Sequence, residues 1–310
     1  MRRKVTIAGA GATGGAMAQI LVEKGICDIA LVDIIEGLPQ GKALDLAHAA
    51  AVIGSDARVI GSNAWEDTAG SDVVVITSGV PRKPGMSRED LVNTNANIVS
   101  GVAQQALKHS PNAYVILFAN PMDAMCQITK KATGLPRNRL VGQGGMLDTS
   151  RYRCFVAREL GVSVKDVQCY VLGGHTDVTM VPIVSNAQVG GIPLRQLLSQ
   201  ERIDALVDRT RKGGTEVVGL LGTSAWFAPA WATIEMVEAI LLDRKRILPC
   251  AVYLEGEYGI RDAYVGVMAQ LGAGGVEKVI EVQLEPAEME GLRKAADAVK
   301  ELAGIVQTKA

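Results

Sequence analysis

The sequence predicts an α/β fold, in which a doubly wound parallel sheet is followed by an α+β half. Short apolar runs alternate with helix-like segments from Lys4 to Val141, and such alternation requires right-handed crossovers between parallel strands. The run Val73–Ile76 consists only of β-branched residues, which is typical of a strand buried on both faces. After about Gly145 the alternation stops, which indicates that the second half is built differently.

Each element of the first half follows from a local pattern. Apolar residues at helical spacing predict helices, and short apolar runs bounded by turn residues predict strands. The predicted strands are Lys4–Ala8, Ile29–Ile34, Arg58–Gly61, Val73–Ile76, Tyr114–Phe118 and Leu140–Val141. The predicted helices are Ala12–Lys24, Gly41–Ala51, Asn93–His109 and Ala124–Thr133.

The second half contains both kinds of pattern in a mixed order. The predicted strands are Val167–Leu172, Met180–Val184, Gln188–Ile192, Ile247–Leu254 and Val276–Leu284. The predicted helices are Thr149–Gly161, Asp204–Lys212, Ala230–Leu242 and Ala287–Leu302, the last with Pro286 at its first turn. Because no linker or internal repeat interrupts the chain, we expect two closely packed domains, residues 1–145 and 146–310.

The composition is that of a globular chain and argues against binding to nucleic acid and against insertion into a membrane. The 310 residues are 48% hydrophobic and 21% charged, with a formal net charge of −1, so no basic surface for nucleic acid is predicted. The segment Val217–Ile234 has no charged residue and approaches the length of a bilayer span. It contains Gly222 and Pro229, and we interpret it as a buried or subunit-facing helix with a break before it, not as a membrane segment.

The cysteines and the N-terminus predict a cytoplasmic protein. The chain has five cysteines and no C-x-x-C pair, which argues against a disulfide framework and against a metal site and fits a reducing compartment. The opening residues Met1-Arg2-Arg3-Lys4 lead directly into a predicted strand without an apolar signal-peptide core.

A glycine motif at the end of the first strand predicts a dinucleotide site. Gly9, Gly11 and Gly14 fit the G-x-G-x-x-G pattern between a predicted strand and a predicted helix, and Asp33 ends the next strand. The glycines permit a tight turn and close backbone approach, and the helix N-terminus receives a pyrophosphate. A carboxylate at position 33 would bind the ribose hydroxyls and repel a 2′-phosphate, which favours NAD over NADP in a Rossmann-type domain. The alternative is a strand–turn–helix that binds no ligand.

Two arginines lie in a loop rich in proline and glycine directly after the strand Val73–Ile76. Arg82 and Arg88 fall within Gly79-Val80-Pro81-Arg82-Lys83-Pro84-Gly85-Met86-Ser87-Arg88. A guanidinium group binds a carboxylate through two parallel hydrogen bonds. The loop therefore predicts capture of a small anionic substrate, whereas the alternative is a solvated basic loop.

His175 is the candidate acid–base residue among the three histidines. It follows the predicted strand Val167–Leu172 and two glycines, so space for a substrate is expected beside the imidazole. His48 lies within one predicted helix and His109 at the end of another, where we expect structural or exposed side chains.

Two further segments place polar side chains near the same edge of the sheet. Asp148 and Arg151 are three residues apart at a predicted helix start and share one face. Asn120 follows the strand Tyr114–Phe118. In an open α/β sheet, ligands bind beyond the carboxyl ends of the strands. Each segment also has an ordinary structural interpretation, as a helix start or a turn before proline.

These motifs together resemble the lactate/malate dehydrogenase family, and within it the lactate-dehydrogenase-like malate dehydrogenases of bacteria. The resemblance extends over essentially the whole chain and adds Asn120-Pro121-Met122-Asp123, Leu147-Asp148-Thr149-Ser150-Arg151 and Gly174-His175 to the segments above. It implies that His175 is the catalytic acid/base and that Asp148 orients it. It also implies that Arg88 polarises the substrate carbonyl, that Arg151 holds the adjacent carboxylate, and that Asn120 contacts substrate and cofactor.

The resemblance also implies a substrate and an assembly. Arginine at position 82 implies a second substrate carboxylate, and hence the reversible oxidation of (S)-malate to oxaloacetate. The implied NAD contacts are Gly9, Gly11, Gly14, Asp33, Asn95 and Asn120. Members of the family are usually homodimers or homotetramers.

The chain departs from the family pattern after the histidine. Thr176 stands where most members have glycine, and the segment from His175 to Pro182 is one residue longer than usual. Because a β-branched residue disfavours positive φ, we expect a different local backbone there.

Two other functions remain open from the sequence. A lactate or other 2-hydroxy-acid dehydrogenase would share every motif except Arg82. A non-catalytic NAD-binding module would need only the glycine motif and Asp33, and it would leave His175 and Arg151 without a purpose.

Overall fold

The computed structural model describes residues 2–80 and 87–306, except the side chain of Arg88. Six parallel strands lie in the described residues of the first half: β1 (Lys4–Ala8), β2 (Asp28–Val32), β3 (Val59–Ser62), β4 (Val73–Ile76), β5 (Tyr114–Leu117) and β6 (Leu140–Gly142). Its helices are α1 (Ala12–Lys24), α2 (Leu38–Ile53), α3 (Arg88–His109) and α4 (Met122–Thr133). The strand order β3-β2-β1-β4-β5-β6 confirms the predicted doubly wound α/β sheet.

Apolar layers cover both faces of this sheet. Alternate residues of β4 enter different cores, since Val73 and Val75 pack with α1 whereas Val74 and Ile76 pack with α3 and α4. Side chains of successive strand residues point to opposite faces. Burial on both sides therefore requires an uninterrupted apolar run, and its β-branched residues favour a strand.

The second half begins with a helix and continues with short strands. Its helices are α5 (Gly145–Leu160), α6 (Leu194–Leu197), α7 (Gln200–Leu221), α8 (Phe227–Leu241) and α9 (Pro286–Ile305). Its strands are β7 (Val167–Gln168), β8 (Val171–Gly173), β9 (Met180–Pro182), β10 (Gln188–Val189), β11 (Ile192–Pro193), β12 (Arg246–Glu255), β13 (Arg261–Gly272) and β14 (Gly275–Ile280).

The large sheet continues from the first half into the second. Gly142 of β6 pairs with Ala251 of β12, after which the order β12-β13-β8-β9 is antiparallel. Strands β7, β10 and β11 form a separate small sheet. The predicted α+β character of the second half is therefore confirmed, while the boundary between residues 145 and 146 stays a prediction.

Two predicted strands differ from the structure, and one strand of the structure has no predicted counterpart. The predicted strand Val167–Leu172 is two strands in different sheets, and Gln188–Ile192 is a hairpin that turns at Gly190 and Gly191, both with positive φ. The strand Arg261–Gly272 was not predicted. Its pattern is interrupted by Gly266, where a Cβ atom would lie 2.5 Å from the carbonyl oxygen of Gly173 on the paired strand. The close pairing of β13 with β8, which is a tertiary constraint, therefore requires glycine at position 266.

The uncharged segment Val217–Ile234 is not one buried helix. Helix α7 ends at Leu221, Gly222 takes the left-handed conformation, and α8 begins at Phe227, so the break lies inside the segment. Leu220 and Phe227 are mostly exposed, whereas the rest of α8 is largely buried. No helix in the described part of the chain is long and apolar enough to cross a membrane.

All five cysteines are free thiols. Four of them are buried and Cys154 is half-buried. Burial raises the pKa of the Cys250 thiol to about 12, so this side chain behaves as a small apolar group.

We expect Leu292→Ala to lower the free energy of unfolding by about 2–5 kcal/mol, because it removes a fully buried side chain. Leu292 lies on α9 in the main core cluster, beneath the sheet that carries β8. Urea unfolding would measure the change. The matched control is Lys294→Ala on the same helix, since Lys294 is exposed and its loss should change stability by less than about 0.5 kcal/mol. Equal effects of the two substitutions would contradict this packing.

Candidate active site

The glycine loop between β1 and α1 presents bare backbone to one cavity. Gly9 has a φ of +115°, and a Cβ atom on Gly14 would collide with the Gly9 carbonyl group. A Cβ atom on Gly11 would meet nothing within 4 Å, so the loop faces open space there. Helix α1 has no side-chain cap and no acidic residue in its first turn. Its free N–H groups fit a pyrophosphate.

Asp33 lies at the other side of the same cavity, which measures ≈ 630 Å³. It directly follows β2, and its carboxylate accepts hydrogen bonds from the N–H groups of Ala10 (2.6 Å) and Ile35 (3.0 Å). These bonds hold the carboxylate beside the glycine loop. A carboxylate has about four lone-pair sites, so acceptor capacity remains for ribose hydroxyls.

Lys42 is a site neighbour that sequence reasoning missed. From α2, its Nζ atom donates a hydrogen bond to the Gly11 carbonyl oxygen at 2.9 Å. The ammonium group also lies beside Gly15, where a Cβ atom would be 3.0 Å from Nζ. Lysine within a helix carries no signal of this contact, which depends on how α2 packs against α1.

His175 and Asp148 form a hydrogen-bonded pair. His175 is the second residue after β8, and Asp148 lies in the first turn of α5. The imidazole Nδ1 and the carboxylate Oδ2 are 2.7 Å apart. The Asp148 side chain is 1% exposed and the His175 side chain 13%. The pair predicted from the sequence is therefore brought together, with the carboxylate inside the protein and the imidazole at the surface of a cavity.

Arg151 binds the other oxygen of the same carboxylate. Its Nη1 atom donates to Oδ1 of Asp148 at 2.9 Å, one turn further along α5. The aliphatic part of Arg151 passes over Gly213 of α7, where a Cβ atom would lie 2.9 Å from its Cδ. The sequence predicted that Asp148 and Arg151 share a face, but it gave no sign of the glycine that makes room for the side chain.

The charges around His175 stabilise its protonated form. Burial alone would lower the pKa of the imidazole, but the charge and hydrogen bond of Asp148 and the charge of Asp123 raise that pKa above its ordinary value, against the opposing charge of Arg151. A histidine with such a pKa can hold a proton near neutral pH and release it to a partner.

A second cavity of ≈ 580 Å³ is lined by His175, Arg151 and Asn120. It adjoins the cavity at the glycine loop, because both are lined by Thr13, Thr77, Gly79, Val80 and Phe118. The turn between α7 and α8 also contributes to its wall, through Thr223, Ser224 and Ala225. Sequence reasoning did not assign that turn to the site, since small polar residues in a turn are common.

Asn95 and Asn120 have different surroundings. The buried amide of Asn95 accepts from the Val80 N–H (2.8 Å) and donates to the carbonyl oxygens of Val80 (3.1 Å) and Asn120 (2.7 Å). It thus joins two loops of the site, and its predicted cofactor contact stays a prediction. Asn120 is exposed and precedes Pro121 through a cis peptide bond.

The two predicted arginine contacts are not described by the structure. Arg82 lies outside the described residues. Arg88 is the first residue of α3, whose N-terminus is capped by Ser87 and Asp90, but its side chain is outside the described part. The roles of both arginines stay predictions from the sequence.

The segment after His175 forms a tight turn. The Thr176 carbonyl accepts hydrogen bonds from the N–H groups of Thr179 (3.0 Å) and Met180 (2.9 Å), and the two threonine hydroxyls are 2.6 Å apart. Thr176 does not have a positive φ, so a β-branched residue fits without strain. The other two histidines lie on α2 and α3, as predicted.

We expect the pKa of the His175 imidazole to exceed about 6.5 in the folded protein and to fall in Asp148→Asn, where burial remains and the negative charge is lost. Because the folded pKa is raised, its stabilising contribution is complete below about pH 6.5 and is lost as pH rises through the folded value. NMR titration of the three histidines would measure it. A pKa at or below that of a free histidine would contradict the geometry.

Comparison with known proteins agrees with this architecture. Residues 3–142 match the model of the lactate/malate dehydrogenase NAD-binding domain, and residues 145–307 match the model of the family's α/β C-terminal domain. The first match confirms NAD as the predicted cofactor.

Individual relatives are similar over almost their whole length. A malate dehydrogenase of Thermomicrobium roseum is 57% identical over 302 residues, which cover 97% of each chain. The solved malate dehydrogenase of Salinibacter ruber has a TM-score of 0.93 at 46% identity and 97% coverage of both chains. A Cryptosporidium parvum lactate dehydrogenase in complex with lactic acid and NAD has a TM-score of 0.95 at 41% identity, covering 100% of this chain and 99% of the other. The chain belongs to the lactate/malate dehydrogenase family.

Proposed function

We propose that this protein is an NAD-dependent malate dehydrogenase that interconverts (S)-malate and oxaloacetate. One observation carries the proposal: His175, backed by Asp148, faces a cavity that also contains Arg151 and adjoins the glycine loop. An acid–base group, a carboxylate-binding group and a dinucleotide cradle are the parts that oxidation of a 2-hydroxy acid requires.

The acid–base step belongs to His175. In malate oxidation, the neutral imidazole accepts the proton of the C2 hydroxyl group while the C2–H bond breaks. Bound NAD⁺ supplies the hydride acceptor in that reaction. Asp148 accepts a hydrogen bond from the Nδ1–H group, which leaves Nε2 free for substrate and stabilises the resulting imidazolium. In the reverse direction the imidazolium donates its proton to the oxygen of oxaloacetate.

The remaining residues bind and polarise the substrate. Arg151 lines the cavity and is proposed to hold the carboxylate next to the reacting carbon. Arg88 is proposed to stabilise the negative charge that develops on oxygen, and Asn120 to contact both substrate and cofactor. Arg82 is proposed to bind the second carboxylate, which selects a dicarboxylate over pyruvate because the pyruvate methyl group would leave this guanidinium unpaired.

We further propose how the protein is organised. Residues 1–145 form the NAD-binding domain and residues 146–310 the substrate domain. The protein assembles as a homodimer or homotetramer in the cytoplasm. The free, mostly buried thiols suit a reducing compartment.

A side-by-side assay tests the function. Loss of NADH absorbance would be followed with oxaloacetate and with pyruvate at matched concentrations. Faster turnover of oxaloacetate supports the proposal, and a preference for pyruvate would make the protein a lactate dehydrogenase with the same acid–base pair. NADH binding without turnover of either substrate would indicate a non-catalytic NAD-binding module.

We expect His175→Asn to lower kcat for oxaloacetate by about 10²–10⁴-fold, since a positioned acid–base group contributes that much. NADH affinity, measured by fluorescence, should not change. The matched control is His48→Asn, the same substitution at an exposed histidine on α2, which should retain normal turnover. Normal turnover in His175→Asn would remove this residue from the mechanism.

We expect Arg82→Gln to weaken transition-state binding of oxaloacetate by about 2–5 kcal/mol, because a desolvated charge loses its partner. The ratio of kcat/KM for pyruvate to that for oxaloacetate should rise. Lys83→Gln, which removes the neighbouring charge in the sequence, serves as the control and should keep the ratio near the unsubstituted value. An unchanged ratio in Arg82→Gln would show that another residue selects the substrate.

A further inference from the structure

A second carboxylate lies directly behind His175. Asp123, in the first turn of α4, accepts a hydrogen bond from the main-chain N–H of His175 through Oδ2 at 2.8 Å. The residue is only 7% exposed. Its other oxygen, Oδ1, is buried and has no hydrogen-bond partner among the described residues. Neither the acid–base mechanism nor the sequence motifs assign a function to this carboxylate.

Burial of the Asp123 carboxylate in this position is energetically unfavourable. A buried, incompletely hydrogen-bonded carboxylate is unfavourable, and burial raises the pKa of Asp123 to about 6 against the His175 N–H bond and the imidazolium charge. Above about pH 6 the group is therefore mainly an anion beside the imidazole. An asparagine would make the same hydrogen bond without the cost of a buried charge, so the charge itself needs an explanation.

Other charged groups lie around His175 and the turn that follows it, on several elements. Asp148 and Arg151 come from α5, and Asp177 follows in the turn after the histidine, where it accepts a hydrogen bond from Thr215 of α7. Arg211, also from α7, donates to the nearby Met180 carbonyl oxygen. Asp148 and Arg151 are paired with each other, so their charges offset in part. Asp123 supplies negative charge that no described cation neutralises.

We propose that Asp123 is a positioning residue for His175, fixing its main chain through one oxygen and favouring its protonated form through a second buried negative charge. This inference rests on the proposed function in so far as His175 is the acid–base residue. The protonated imidazole is the form that donates a proton to the substrate oxygen when oxaloacetate is reduced. The extra carboxylate therefore extends the pH range of reduction upward.

Substitution by asparagine separates the charge from the hydrogen bond. The amide oxygen of Asp123→Asn can still accept from the His175 N–H, while the negative charge is lost. Asp123→Ala removes both. Thr129→Val is the matched control, because Thr129 is a buried polar residue of the same helix with no hydrogen-bond partner described for its hydroxyl.

The first readout is the pKa of His175 by NMR, which does not depend on activity. We expect Asp123→Asn and Asp123→Ala to lower it by about one unit, as for loss of a nearby charge, and Thr129→Val to leave it unchanged. In active enzyme, the alkaline limb of kcat/KM for oxaloacetate should move to lower pH by the same amount. Asp123→Ala should in addition have a lower kcat than Asp123→Asn. The asparagine variant keeps the hydrogen bond to the His175 N–H and should therefore retain more of the activity.

An unchanged pKa of His175 in Asp123→Asn would overturn the proposal, whatever the enzyme does with oxaloacetate. If neither Asp123 variant folds, His175→Asn provides the test. With the imidazole gone, the amide resonance of residue 175 should shift through a midpoint above about pH 6 as Asp123 ionises, because the imidazolium charge that lowers the Asp123 pKa is absent. An amide resonance that does not respond in that range would equally overturn the proposal. Failure of the proposed function would appear separately, as absence of turnover by the unsubstituted protein.

Discussion

The structure of the site depends on one buried carboxylate, that of Asp148. One of its oxygens binds the imidazole of His175 and the other binds the guanidinium of Arg151. A carboxylate that is 1% exposed is stable only when its charge and lone pairs are satisfied. The two partners therefore stabilise Asp148, and Asp148 in turn fixes where both of them point. Removal of any one leaves the others incompletely paired in a nearly closed space.

Close backbone packing around β6 makes this arrangement possible. A Cβ atom on Gly142 would collide with Met122 of α4, one on Gly144 would lie 3.0 Å from the Cβ of His175, and one on Gly145 would lie 2.8 Å from the Pro249 carbonyl oxygen. These three glycines let β6, β12 and the start of α5 converge. Since α5 begins there, the same convergence places Asp148 beneath His175 and joins the first half of the chain to the second.

The site combines two kinds of electrostatic environment in adjoining cavities. At the glycine loop, the first N–H groups of α1 have no side-chain cap, and Lys42 donates a hydrogen bond to the Gly11 carbonyl oxygen. Around His175, buried carboxylates favour a cation, while Arg151 lies at the cavity wall. In the proposed function, proton transfer and carboxylate binding would thus occur side by side. The charges that would favour each of these steps are fixed in the folded protein before any ligand binds.

The sequence by itself determined the order of strands and helices in the first half and the glycine loop with Asp33. Those features are local, because period, turn residues and spacing along a helix are encoded within a few positions. The grouping of His175 with Asp148 came from the family resemblance, since the two residues are 27 positions apart. Tertiary structure decided the strand Arg261–Gly272, whose Gly266 is required by its neighbour. It likewise decided the contact of Lys42 with the glycine loop and that of Asp123 with His175. These contacts join residues 31 and 52 positions apart, so packing between elements creates them and no local pattern records them.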